Sequence, residues 1–245
     1  MLAFHSEPSL KSAVMDRLRE HRRLDQIVQG VYFENGKGCH LGCLTHFESN
    51  THDAAARLFG IEPRIGYWLE AVFEGLPKGD CERWVLESTE AIPCGADLSL
   101  CHHHLSAWLL GESGFLKIVD ENRDAIEQVR GLHVRAASGE VITADEWSAA
   151  RSAAESAARS AAWSAARSAA RSAAESAAES AARSAARSAA WSAAESAAWN
   201  EIAAKSIEIF AAAPVHREPS QLSQCVADEL CARRLWCGDS VKVLA

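Results

Sequence analysis

Residues 147–198 read WSAA-RSAA-ESAA-RSAA-WSAA-RSAA-RSAA-ESAA-ESAA-RSAA-RSAA-WSAA-ESAA, thirteen consecutive copies of an x-Ser-Ala-Ala unit. Alanine is the strongest helix former, and the Arg and Glu residues that fill most x positions rank close behind it. Neither glycine nor proline occurs between Gly139 and Pro214. The repeat therefore predicts one long helix from about Ala144 to Ala213. Thr143 and Glu146 have the spacing of a capping box at its start.

The four-residue period determines how this helix can pack. Each residue turns the helix by about 100°, so each unit moves the x side chain by about 40° around the axis. A heptad coiled coil is excluded, because it needs a period of 3.5 residues. The side opposite x offers only alanine and serine, which allows a second helix to approach closely.

Tryptophan occupies three of the thirteen x positions and also begins an incomplete fourteenth unit, and an exposed indole is unfavourable in water. We therefore predict that the helix packs against itself, another copy or a partner. The predicted interaction residues are Trp147, Trp163, Trp191 and Trp199. The alternative is a solvated, inert rod that arose by expansion of a short repeat.

The residues before the repeat are of ordinary mixed composition and predict a bundle of short helices. Ser9 is expected to cap a first helix that ends at Gly30, and Pro63 suits the start of another. Val31-Tyr32-Phe33 is the one plausible strand, followed by the turn residues Asn35-Gly36. The expected core surrounds Trp68, Trp84 and Trp108.

The fold class predicted is all-α: a compact multi-helix head, a long Ala/Ser-rich helix and a short C-terminal helix. The predicted domains are a helical head at 1–140, the alanine-rich repeat helix at 141–213, and a C-terminal linker with a short helix at 214–245.

Charge and hydropathy argue against two classes of partner. The formal net charge is −8, whereas proteins that coat nucleic acid carry a basic face, so nucleic acid is not an expected partner. No stretch reaches the roughly 18–20 consecutive apolar residues of a membrane span. Residues 1–12 lack the apolar segment of a secretory signal, which predicts a cytoplasmic protein whose eight cysteines are reduced.

The segment around Cys39 suggests a metal site. On a helix Cys39, Cys43 and His46 share one face, and two thiolates and an imidazole can fill three positions around zinc. A second cluster comprises Cys94 and residues 101–104, Cys-His-His-His. Structural zinc sites usually use Cys-x2-Cys pairs, which are absent. Cysteine is also often buried as a small apolar residue, so core packing is the competing interpretation.

The same residues allow a cysteine-dependent enzyme. Cys39 or Cys43 would be the nucleophile, His46 or His52 the base, and Asp97 the residue that orients the base. Residues 36–38, Gly-Lys-Gly, have a weak similarity to a phosphate-binding loop but lack the longer glycine spacing of a P-loop, so they favour a simple turn.

The head resembles a family of uncharacterised proteins found in bacterial genomes and in phages or prophages. The matching stretches are residues 1–5 (MLAFH), 36–39 (GKGC) with Gly42, Cys43 and His46, 73–77 (FEGLP), 91–93 (AIP) and 95–99 (GADLS). The resemblance covers about residues 1–140 and implies an alanine-rich helical tail and a phage-related origin, but no reaction. His40 and Cys94 depart from the pattern, which counts against both as metal ligands.

These observations favour a non-enzymatic structural or interaction protein. Its alanine-rich helix would mediate self-association or binding to another protein. A small zinc-binding regulatory protein is the first alternative, and a cysteine-dependent enzyme is the second.

Overall fold

The structure is a computed structural model that describes residues 1–111, 123–156 and 180–238. Over these residues the protein is helical, and its one sheet is a hairpin of two strands with two residues each. The all-α prediction is therefore confirmed.

The helices and strands follow in chain order. The helices are α1 (Pro8–Arg23), α2 (His40–Thr45), α3 (Thr51–Phe59), α4 (Pro63–Gly75), α5 (Asp80–Ala91), α6 (Cys101–Gly111), α7 (Arg123–Ala137), α8 (described over residues 144–156), α9 (Ser180–Ala211) and α10 (Gln224–Ala232). The strands β1 (Phe33–Glu34) and β2 (Lys37–Gly38) pair antiparallel between α1 and α2.

The chain divides into two compact units. The first comprises Met1–His102 together with Ala203–Ala245, and the second comprises His103–Ile202. These two units are defined by the contacts within each of them. The limits at residues 140 and 213 were predicted from changes in composition, and so the two divisions differ. Those limits remain a prediction about where independently folding parts begin and end.

The helices α1 to α5 form much of the core of the first unit. Apolar side chains at three- and four-residue spacing place one face of each helix inside, and Trp84 is buried with its indole N–H donating to the Leu69 carbonyl at 3.1 Å. Trp68 and Trp108, also expected in the core, are only half-buried. The fully buried side chains of α1–α4 include Leu10, Val14, Leu18, Leu41, Leu44, Leu58, Phe59, Ile65, Leu69 and Phe73.

The first helix differs from its prediction at both ends. Glu7 is the N-terminal capping residue, because its carboxylate accepts from the Ser9 N–H at 3.3 Å and Pro8 occupies the first helical position. The helix ends at Arg23, seven residues before Gly30, and Asp25 adopts a positive φ of 51°. The apolar residues at 27 and 28 therefore belong to the connection that leads to the hairpin.

The hairpin turn uses the residues that the sequence identified. Asn35 and Gly36 both have positive φ, 52° and 78°, which is the requirement of a two-residue type I′ turn. The pairing register joins Phe33 to Gly38 and Glu34 to Lys37. The strand therefore begins at the last residue of the predicted Val31–Phe33 segment.

The C-terminal segment packs on the rest of the first unit. Ser223 caps α10, whose Leu230 is fully buried. Arg57 of α3 forms an ion pair with Glu229 of α10. A disulfide joins Cys231 to Cys237, which corrects the expectation that all eight cysteines are reduced. The other six cysteines are free thiols.

The second unit contains the start of the repeat. The Thr143 N–H donates to Glu146 Oε2 at 2.9 Å, and the Glu146 N–H donates to Thr143 Oγ1 at 3.2 Å. This is the predicted capping box, and α8 begins at residue 144 as expected. Repeat residues 147–156 and 180–198 are helical. Residues 157–179, and with them the unbroken central part of the predicted helix, lie outside the described residues.

Candidate functional site

The glycines around Cys39 lie where the chain before β1 crosses the start of α2. A Cβ atom on Gly42 would lie 1.4 Å from the Tyr32 carbonyl oxygen, and one on Gly38 would lie 2.1 Å from it. The Cys39 N–H donates to the same carbonyl at 3.1 Å. Gly38 and Gly42 are therefore needed because two backbone segments cross closely at this point. This explains both glycines without a phosphate ligand.

The three predicted metal ligands point to different partners. The Cys39 Sγ lies 3.9 Å from Glu70 Oε1, while the Cys43 Sγ donates to the Gly38 carbonyl at 3.3 Å. His46, at the left-handed C-terminal position of α2, contacts another histidine. Within the described parts of the chain, no three His, Cys, Asp or Glu side chains are grouped so as to hold a metal ion. The zinc site therefore remains a prediction, and the structure does not group the three predicted ligands.

Both candidate nucleophiles are buried thiols. Burial raises the pKa of Cys39 to about 11 and that of Cys43 to about 12, so both are protonated at neutral pH. An activated cysteine needs the opposite shift, because the thiolate is the nucleophile. Cys39 is also only 1% exposed, which leaves a substrate no direct access to its sulfur.

The predicted catalytic bases and the residue predicted to orient them also contact different partners. His52 Nε2 lies 2.5 Å from Glu70 Oε2, and so a carboxylate from α4 takes the position beside His52. Asp97 instead accepts a hydrogen bond from the Ser99 N–H at 3.0 Å, which holds the pKa of its carboxyl below the usual range. The sequence favoured a surface or capping role for Glu70, and its contact with His52 was not predicted.

His46 forms part of a histidine pair. Its Nε2 lies 2.9 Å from Nε2 of His21, and the His46 ring stacks on Phe33 with centroids 4.5 Å apart. One nitrogen must donate and the other accept, so at least one ring is neutral. Burial, together with the nearby Arg17 guanidinium, lowers the pKa of His46 to about 4. Burial also lowers the pKa of His21.

The second cysteine and histidine cluster is not a single site. Arg64 Nη1 lies 2.7 Å from His102 Nε2 within the first unit. His103 Nδ1 lies 2.9 Å from His133 Nδ1 within the second. Cys101 is buried, and burial raises its pKa to about 11. His102 and His103, although adjacent in the sequence, therefore contact different partners.

The described parts of the repeat show where two of the four tryptophans lie. The Trp147 ring stacks on His103, with centroids 5.9 Å apart, and makes an edge contact with His133 at 4.9 Å. Trp199 is half-buried. Trp163 and the side chain of Trp191 lie outside the described residues.

The C-terminal end of α9 is fixed in the first unit. Trp68 of α4 donates its indole N–H to the Ser206 hydroxyl at 2.9 Å. Ser206 and Phe210 are both fully buried, and Ala213 just after the helix is buried too. Because these positions are three or four residues apart, one face of the helix end is held by packing.

A group of aromatic and acidic side chains lies where α3, α4 and the segment before β1 meet. Tyr67 stacks on His52 with centroids 3.7 Å apart, and Tyr32 makes an edge contact with the same ring at 6.5 Å. Glu70 contacts His52 from the next turn of α4. We call Tyr32, His52, Tyr67, Glu70 and Glu74 the tyrosine surface. The Cys39 thiol, whose Sγ lies 3.9 Å from Glu70 Oε1, is buried and protonated at neutral pH.

Comparison with known proteins gives no relative: no family model, no curated protein and no solved structure matches the chain. None of the described helices combines the length and the apolar character that a membrane crossing requires.

Proposed function

We propose that this protein is a non-enzymatic interaction protein whose alanine-rich helix mediates self-association or binding to another protein. One observation carries the proposal. The helix α9, Ser180–Ala211, contains repeat residues at its beginning and the buried residues Ser206 and Phe210 near its end. The repeat is thus continuous with a segment that the folded head holds in place.

The helix α9 continues from the last repeat units to Ala211. An α-helix of this length, 32 residues, extends for about 48 Å at 1.5 Å per residue. Its last turns bury Ser206 and Phe210 and accept a hydrogen bond from Trp68. A repeat segment that is already helical loses less conformational freedom when it binds a partner than an unstructured tail would, which favours association.

The composition of the repeat favours a helical partner. The Ser-Ala-Ala spacer gives every level of the helix a face without bulky side chains, so a second helix can pack closely. Trp163 and Trp191 are large apolar groups that gain by leaving water. A second copy of the chain is the simplest partner, because it carries the same two features.

We also propose a phage or prophage origin, which rests only on the sequence motifs of the head, such as residues 36–39 and 73–77. The proposal also places the protein in the cytoplasm, where six free thiols would be maintained. The Cys231–Cys237 disulfide is unusual for a cytoplasmic protein.

Light scattering coupled to size-exclusion chromatography tests the proposal over roughly a hundredfold range of protein concentration. We expect a mass larger than that of one chain, and a shift towards the monomer when Trp163 and Trp191 are both replaced by alanine. The matched control replaces Arg167 and Arg187, which also occupy x positions, by alanine. A monomer at every concentration contradicts self-association, and an equal effect of both double variants contradicts the role of the tryptophans.

A further inference from the structure

The chain contains two tyrosines, and both belong to the tyrosine surface. Tyr32 is 44% exposed and Tyr67 is 60% exposed. The Tyr67 ring stacks on the ring of His52 and the Tyr32 ring makes an edge contact with it, while His52 itself is buried. Val31, next to Tyr32, is also exposed. Exposed tyrosines that share one neighbour form a contiguous aromatic patch, and such residues are enriched at protein interfaces.

Acidic groups surround the phenol of Tyr32. The charge of Glu70 is the largest cause of a raised pKa at Tyr32, followed by partial burial, and the carboxylate of Glu74 makes a smaller contribution. Tyr67, Glu70 and Glu74 lie three and four residues apart on α4, and so they form one stripe of that helix. The patch therefore combines exposed aromatic faces with a negative potential.

The backbone that carries Tyr32 is held firmly. The Gly30 N–H donates to both carboxylate oxygens of Glu74 at 3.1 Å. Gln29 Nε2 donates to the carbonyls of Phe73 at 2.8 Å and Leu76 at 2.9 Å, at the end of α4. The close crossing at Gly42 fixes the chain on the other side of Tyr32. A ligand that binds this patch meets rings that are already ordered, which reduces the entropy lost on binding.

We propose that the tyrosine surface is a docking site for an arginine side chain presented by a different protein. A guanidinium group is flat, so it can stack on the exposed tyrosine rings, and it carries a positive charge that complements Glu70 and Glu74. A lysine ammonium would satisfy the charge but not the stacking. This inference concerns the head alone and does not depend on the repeat helix.

Fluorine NMR on full-length protein labelled with fluorotyrosine tests the site directly, since two tyrosines give two signals. The probes are a short Gly/Ser peptide that carries two arginines and the same peptide with citrulline, the neutral isostere of arginine. We expect saturable shifts of both signals with the arginine peptide, and binding weaker by about tenfold or more with citrulline. Equal affinity for both peptides, or no saturable shift, overturns the proposal.

Two variants at one position separate stacking from loss of structure. Because Tyr67 is well exposed, replacing it should leave the fold intact, and the signal of Tyr32 remains as the reporter. We expect Tyr67→Ala to weaken binding of the arginine peptide by about tenfold, and Tyr67→Phe to retain it. Unchanged binding in Tyr67→Ala contradicts the site. A shift that grows with protein concentration in the absence of peptide assigns the surface to a second copy of the chain and overturns the proposal of a different partner.

Discussion

Trp68 of α4 donates its indole N–H to the hydroxyl of Ser206 at 2.9 Å, 138 residues further along the chain. Ser206 is fully buried, although serine in the preceding repeat is a spacer residue. Phe210, one turn further along the same helix, is also fully buried. Since a buried donor without an acceptor is unfavourable, this pair fixes the rotation of the end of α9 in the head.

Replacing Ser206 by alanine tests this anchor. The variant removes the acceptor for the Trp68 indole N–H, and we expect a loss of about 1–2 kcal/mol in the free energy of unfolding, measured by urea denaturation. Glu208→Ala is the control, because Glu208 is exposed on the same helix and its pair with Lys205 is a surface ion pair worth less than about 1 kcal/mol. Equal losses in the two variants would show that the hydrogen bond to Trp68 is unimportant.

Two glycine-to-alanine changes should have opposite effects. At Gly42 the added methyl group would lie 1.4 Å from the Tyr32 carbonyl oxygen, so the crossing must open and we expect the variant to be destabilised by about 3 kcal/mol or more. At Gly131, inside α7, the methyl group meets no atom within 4 Å, so higher helix propensity should stabilise the helix by about 0.5–1 kcal/mol. Thermal unfolding measures both, and a mild effect at Gly42 would contradict the close crossing.

Local signals predicted much of the fold, and long-range contacts account for most of what the sequence missed. Pro63 begins α4, Gly60 with φ of 65° ends α3, and Thr143 caps α8, as residue preferences alone indicate. The partners of the candidate site residues lie far away in sequence: Glu70 is 31 residues from Cys39, and His21 is 25 residues from His46. Spacing along one helix carries no information about such contacts.

The buried histidine His40 predicts that stability falls as the pH is lowered. Its Nε2 lies 3.0 Å from Thr89 Oγ1, and the Thr89 hydroxyl itself donates to the Val85 carbonyl, so His40 must be the donor. Complete burial lowers the pKa of His40 from 6.5 to about 3. Below pH 6.5 the unfolded chain takes up a proton that the folded chain does not, which favours unfolding.

The stabilisation that depends on neutral His40 is therefore full above pH 6.5 and should decrease by about 1.4 kcal/mol per pH unit between there and pH 3. The lowered pKa values of His21 and His46 act in the same direction. Urea unfolding at several pH values measures the slope. The His40→Gln variant keeps a donor without a titrating group, so its slope should be smaller by about one proton per molecule. An unchanged slope would mean that His40 is accessible to protons in the folded state.

Alkylation followed by mass spectrometry should distinguish exposed, buried and disulfide-bonded cysteines. Cys225 is exposed, so it should react first at neutral pH. Cys39 and Cys43 are buried thiols with raised pKa values, and we expect them to react only when the protein unfolds. The denatured chain should carry six labels before reduction and eight after it, since Cys231 and Cys237 are joined. Labelling of native Cys39 faster than Cys225 would instead favour a cysteine-dependent enzyme, and eight labels without reduction would exclude the disulfide.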